Sequence, residues 1–456
     1  MNVIKTFKES DQLDLQSFSS RLGAFIKTEN YFVEGGLVIS LNAPFGAGKS
    51  TFIEMWQQEM LASYKDDQTL PLPILVNAWE DDYCGDPMLS LVRSLSATLL
   101  RNQDQSSKKK GEKLKETAKD VAWLTLGLAN EVASKFTGID VIAGADVSEK
   151  KRKERNAALE CFEERVRVLK RIRTTLADVF GGAHVKAIIM VDELDRCRPS
   201  YAIDYLETIK HVFNVKGLAF VLAVDKHQLR SSAKAMFGSD LNFDEYYRKF
   251  VHRNVELPAP TEESLRRLIR HYASTILEID DGNFKRTTRA DLRNITNDLA
   301  EIMGGLRLTP RQINEVFRLI GHAFATSKAN PGEIWWAYNS AFMLLASLAV
   351  GLPDIYHRIG KHLATNEDFA LVLNTLSKDR KHFWGSLLLT GYDDSEEEKK
   401  LRMSEFARLD LISGDTEEER MRELASYSRG WGYGQAKKGI ATTYSFIENI
   451  NIFADH

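Results

Sequence analysis

Residues 37–57 read LVISLNAPFGAGKSTFIEMWQ, and this stretch constrains the chain more than any other. It opens on an apolar run, Leu37-Val38-Ile39-Ser40-Leu41, that predicts a buried strand. A loop of small residues follows, Ala43-Pro44-Phe45-Gly46-Ala47-Gly48. Next come Lys49, Ser50 and Thr51, then helical spacing through Phe52, Met55, Trp56 and Met60. Strand, glycine loop, lysine–serine pair and helix form a phosphate-binding loop in its structural context. Gly46 and Gly48 let backbone N–H groups converge on phosphate oxygens with no side chain in the way. The helix N-terminus adds partial positive charge. Lys49 is expected on the β- and γ-phosphates and the Ser50 hydroxyl on Mg2+. Phe45, Gly46, Ala47, Gly48 and Thr51 complete the expected cradle. Ala43 replaces the first glycine of G-x-x-x-x-G-K-[ST], and a small residue is tolerated there.

At 456 residues the chain has room for about two to four domains. A net charge of −3 gives no global basic footprint for nucleic acid. Cys84, Cys161 and Cys197 are far apart and form no C-x-x-C, which argues against zinc or a disulfide framework and fits a reducing cytosol. The first residues carry no apolar h-region, so no secretory signal is expected and the chain is read as cytoplasmic. Residues Ile334–Leu352 are 19 in number and uncharged, the length of a membrane span. They hold Asn339, Ser340 and Ser347 and lack a flanking basic cluster, so a buried helix is expected and no membrane span.

Residues 1–36 read as a helical lead-in, with Leu15, Phe18, Leu22 and Ile26 on one face. Residues 72–79 predict a second strand ending in an acidic turn, Glu80-Asp81-Asp82, and Pro87 opens a helix, Met88 to Leu100. Residues 102–155 break the pattern. Their basic runs, 108–110 and 150–153, bracket a segment whose longest uncharged run, Val121–Asn130, is ten residues and too short to span a bilayer. This is read as an insertion. A helix over Asn156–Phe180 precedes Ala187–Val191, apolar on both faces as a central parallel strand should be. A helix near Tyr201–Phe213 leads to another such strand, Leu218–Val224. Alternating strands and helices over 37–225 imply a parallel α/β sheet. Past Asp225 the strand runs stop. Helices are expected at Glu262–Ile279, Arg289–Met303 and Arg311–Ala325, and 332–456 reads as largely helical, with Asp393–Glu398 and 430–434 as loops.

Asp192 ends an apolar strand, where ligands of open α/β sheets bind, and is the expected Mg2+ carboxylate. Glu193 follows it and is placed to polarise an attacking water. Asp225 ends the neighbouring strand, where it either senses the γ-phosphate or caps the helix begun by Lys226-His227-Gln228.

These residues give the chain its resemblance. APFGAGKST (43–51), ILVNAW (74–79), IIMVDELDRCRP (188–199), LAFVLAVDKHQL (218–229) and LTPRQINEVFRL (308–319) resemble a KAP-type P-loop NTPase. The resemblance implies an ATP- and Mg2+-dependent core of the STAND type over 37–255, with 102–155 inserted. A helical lid over 256–330 and a C-terminal helical domain over 331–456 would follow. Members often carry transmembrane helices where 102–155 lies. Bacterial relatives are linked to antiphage systems and animal ones to membrane signalling scaffolds. Arg311, opening a helix of the presumed lid, resembles an arginine that reads the γ-phosphate. Arg248 and Arg253 lie where related ring ATPases project a finger into the adjacent subunit, and Arg196 and Arg198 are candidates for structure or the interface. The expected function is an ATP-driven switch or motor, a homo-oligomer acting on a separate effector protein. The alternatives are a nucleotide-binding scaffold with little turnover, or an ATPase stimulated by nucleic acid through the basic runs.

Overall fold

The computed structural model describes residues 5–83, 85–102, 104–117, 119, 163, 166–277, 292–326, 335–432 and 438–449. Most of the 102–155 insertion, the start of the helix expected from Asn156, and 433–434 lie outside them. The chain divides into two units, 1–258 and 259–456.

The first unit is built on five parallel strands among the described residues. They are β1 (Leu37–Asn42), β2 (Leu72–Asn77), β3 (Ala187–Asp192), β4 (Leu218–Val224) and β5 (Arg253–Glu256), in the order β2-β3-β4-β1-β5. β3 and β4 are buried at every position, as two-sided apolar runs require. The registers Asn77↔Asp192 and Asn42↔Val224 bring the C-terminal ends of four strands to one edge.

β5 is a strand that the sequence reading did not expect. Arg-Asn-Val-Glu has no apolar run. It is held as an edge strand by backbone pairing to β1 alone, from Ile39↔Arg253 to Asn42↔Glu256, and an edge admits charged side chains. β2 also ends earlier than expected. The Asn77 side chain caps a short helix, Ala78–Asp82, by accepting from Trp79 N (3.1 Å) and Glu80 N (3.2 Å), so the expected acidic turn is helical.

Helices cover both faces. Pro87–Arg101, 166–180 and Pro199–His211 bury their apolar stripes on one. On the other, the phosphate-loop helix Lys49–Asp66 lies under the lead-in helix Gln16–Glu29. Phe52 joins them. Its ring is 5.3 Å from Phe18, 6.2 Å from Phe7 and 5.8 Å from Trp56, in the range where aromatic pairs add to plain burial.

The second unit is helical throughout its described residues. The uncharged stretch 334–352 yields a helix, Trp336–Gly351, buried from Ala337 to Leu348 apart from Tyr338. No helix among the described residues is long and apolar enough to cross a membrane. Asp393–Glu398 is not all loop: Ser395 and Glu398 form a capping box, and Glu396, Glu397 and Glu398 make the first turn of a helix to Arg408. Carboxylates favour that position because they meet the free N–H groups and the positive end of the helix dipole.

Phe52→Ala removes the ring on which the lead-in helix and the phosphate-loop helix meet. It should cost about 3–5 kcal/mol of stability in urea unfolding. A loss below about 1 kcal/mol would mean the lead-in is held by other contacts.

Candidate active site

The phosphate loop starts where β1 ends. Ala43 N donates to Val224 O (3.3 Å), tying the loop to β4. Gly46 (φ 81°) and Gly48 (φ 99°) take left-handed backbone that side chains resist, and Gly48 delivers the chain into the helix at Lys49. Lys49 is 8% exposed. Its Nζ donates to Ala43 O (2.6 Å) and Pro44 O (3.4 Å), and lies 3.9 Å from Asp195 Oδ2. Burial pulls the ammonium pKa below the usual lysine range, and Asp195, Asp225 and Asp192 act against that pull.

Asp192 is 9% exposed and accepts from Glu193 N (2.9 Å). Burial pushes its carboxyl above the usual range, opposed by a hydrogen bond from the Ser50 side chain. Ser50 follows Lys49 in the phosphate-loop helix and Asp192 ends β3, so these two are the residues that could hold a divalent ion. A hydroxyl and a buried, under-compensated carboxylate are hard oxygen donors of the kind Mg2+ takes. Among the described residues no cluster of three or more His, Cys, Asp or Glu is suited to a metal.

Glu193 has φ 61°, left-handed backbone for a non-glycine residue. Strain of this kind gathers at functional sites. Both carboxylate oxygens are engaged. Oε2 accepts from Asn77 Nδ2 (3.1 Å), and Oε1 is 3.0 Å from an Arg196 NH1 nitrogen. The Arg196 guanidinium stands 4.7 Å from the Phe45 ring centroid and 5.9 Å from that of Trp79.

Asp225 takes the helix-capping position and also reaches the phosphate loop. Oδ1 caps the helix Lys226–Phe237 through His227 N (2.9 Å), while Oδ2 accepts from Phe45 N of the phosphate loop (3.2 Å). Asp195 Oδ2 in turn accepts from Asp225 N (2.8 Å). The sequence reading gave Asp195 and Asn77 no role. The signal for Asp195 was a second aspartate three residues past Asp192, between Leu194 and Arg196.

The other arginines are held elsewhere. Arg253, on β5, pairs with Glu29 (3.0 Å). Arg248 is exposed at the end of the helix Phe243–Arg248, in the field of Asp244, which also pairs with Lys226 and Arg230. Arg198 closes on Asp82 through its backbone N–H and guanidinium (2.7–2.9 Å), a structural clasp. Arg311 lies in the second unit, in the first turn of the helix Pro310–Thr326.

Comparison with known proteins adds the following. The model of the KAP family P-loop domain matches residues 15–321. The phage T7 exclusion protein of Escherichia coli (strain K12) is 20% identical over 339 residues, 71% of this chain and 42% of that protein. The chain thus spans under half the length of that relative. Among solved structures, the Aeropyrum pernix ORC2 protein in its ADPNP-ADP complexes aligns at TM-score 0.36 and 10% identity, covering 96% of this chain and 94% of the other. Its ADP form aligns at 0.35 and 9%, covering 95% and 94%.

Asp192→Asn tests the electrostatics of the buried carboxyl. A carboxyl whose folded pKa is raised takes up protons on folding, so its charge costs stability as pH rises through and above that pKa. Without divalent ions the variant should be at least as stable as wild type at about pH 8, with the advantage closing near pH 4. Thermal melts in EDTA at both values decide it. A variant melting well below wild type at the higher pH would mean the charge is compensated.

Proposed function

This chain belongs to the KAP family of P-loop NTPases, and from that premise we propose that it binds ATP and hydrolyses it with Mg2+ at the C-terminal edge of the sheet. The observation that supports the reading is a glycine loop with left-handed Gly46 and Gly48 that buries Lys49 beside the acids at the ends of β3 and β4, with Asp225 accepting from Phe45 N of the loop.

The residues divide the work as follows. Lys49 exchanges the Ala43 and Pro44 carbonyls for β- and γ-phosphate oxygens. Backbone N–H groups from Gly46 to Thr51 meet the phosphates, with the helix N-terminus behind them and Phe45 beside them. Ser50 and Asp192 would hold Mg2+, directly or through water, and the ion when bound neutralises phosphate charge. Glu193 orients the attacking water and takes its proton. The water oxygen bonds to the γ-phosphorus as the bond to the bridging oxygen breaks, and ADP leaves with that electron pair. Asn77 fixes the position of Glu193, and Asp225 fixes the loop through Phe45.

In the cell we read the chain as a switch that acts on a separate protein in phage defence, as a homo-oligomer. Support for the defence role comes from the relative named for phage exclusion. Arg248, exposed beside Lys226 and Asp244, stays our candidate for reaching a neighbouring subunit. A scaffold with slow turnover is the second reading, favoured by the engagement of both Glu193 oxygens.

Two variants separate these readings. Lys49→Ala should abolish nucleotide binding. Glu193→Gln should keep Mg2+-dependent ATP binding but turn over at least ~100-fold more slowly. Equal phosphate release by Glu193→Gln and wild type would remove Glu193 from the chemistry. A wild type that binds ATP without releasing phosphate would leave the scaffold.

A further inference from the structure

Arg196 follows Glu193 in the 3-10 turn Leu194–Arg196, and four facts about it belong together. Its guanidinium holds Glu193 at 3.0 Å. The same guanidinium lies over the ring of Phe45, the third residue of the phosphate loop. Its charge is felt at Lys49, the residue meant for the β- and γ-phosphates. Finally, the aromatic rings beside it, Phe45 and Trp79, are 46% and 52% exposed, so the guanidinium is guided by flat faces without being enclosed. Its side chain is 35% exposed.

We propose that Arg196 is the arginine that meets the γ-phosphoryl group, supplied by the same chain and stored on Glu193 until nucleotide arrives. This deepens the hydrolysis reading above and rests on it. A guanidinium beside a lone carboxylate has one negative charge to satisfy. A triphosphate entering the loop offers several, on planar sets of oxygens that match the guanidinium fork. Arg196 moves along the Phe45 face from the weaker anion to the stronger. The move does two things at once. It brings positive charge to the oxygens of the transferring group, and it releases Glu193 Oε1 for the attacking water. Asn77 still holds Oε2, so the freed carboxylate stays in place. The ion pair is thus a store that keeps base and arginine idle together and engages them together.

The test uses the full chain as wild type, Arg196→Ala and Arg196→Lys, with three measurements: binding of a fluorescent ADP analogue, retention of ADP with aluminium fluoride and Mg2+, and phosphate release. Arg196→Ala should bind the ADP analogue within about 2-fold of wild type, fail to retain ADP with aluminium fluoride, and lose about 10³-fold in kcat. Arg196→Lys should recover part of both losses, because it restores charge without the fork. The proposal is overturned if Arg196→Ala hydrolyses and traps like wild type. A faster Arg196→Ala also overturns it, since Arg196 would then be only a brake on Glu193. Equal loss of ADP binding in both variants overturns it too, as that marks a structural residue. A wild type that neither binds the analogue nor releases phosphate is a different failure, that of the nucleotide reading itself.

Discussion

The C-terminal edge of the sheet depends on one buried ammonium group and the acids around it. Lys49 sits among Asp192, Asp195 and Asp225, which end or follow β3 and β4. Three carboxylates face this ammonium, and even with the Arg196 guanidinium nearby the acids outnumber the cations. Each acid is therefore also held by backbone donors: Glu193 N on Asp192, Asp225 N on Asp195, Phe45 N and His227 N on Asp225. These bonds tie β1, β3 and β4 together at the edge where the loop turns. They also set the chemistry. A polyphosphate alone would add negative charge to an acid-rich edge, so it is welcome only in company with a divalent cation.

What was legible in the sequence was legible for a physical reason. β1, β3 and β4 are buried on both faces, so their apolar runs carry no competing pattern, and the glycines and lysine of the loop have few alternative uses in that context. Asp192 and Glu193 could be placed at the edge of the sheet because the end of an apolar parallel strand is a defined place. β5 was missed because its existence depends on backbone pairing to β1, which its charged side chains do not advertise. The helix 78–82 was missed because Asn77 reads equally well as a strand residue or a cap. The roles of Asn77, Asp195 and Arg196 needed coordinates. Asn77 meets Glu193 across 116 positions of sequence, and Arg196 shows its meaning only once Phe45 is seen beneath it.

The short helix after β2 links the site to the body of the domain. Asn77 binds Glu193 with its amide and caps the helix with its carbonyl, so the two states of that side chain are not independent. At the other end Asp81 accepts from Ser90 and pairs with Arg93 (2.8 Å), both on the helix Pro87–Arg101, while Asp82 is clasped by Arg198 just past the Glu193 turn. A displacement of Asn77 therefore has to shift Asp81 and Asp82 or break their ion pairs. Asp81 and Asp82 are buried, and a buried carboxylate that loses its partner is costly. Small drift is thus resisted, and the arrangement favours a few discrete positions over a continuum. Pro87–Arg101 leads in sequence directly into the 102–155 insertion. That helix is therefore joined, through Ser90 and Arg93 on Asp81, to the short helix capped by the residue that holds Glu193.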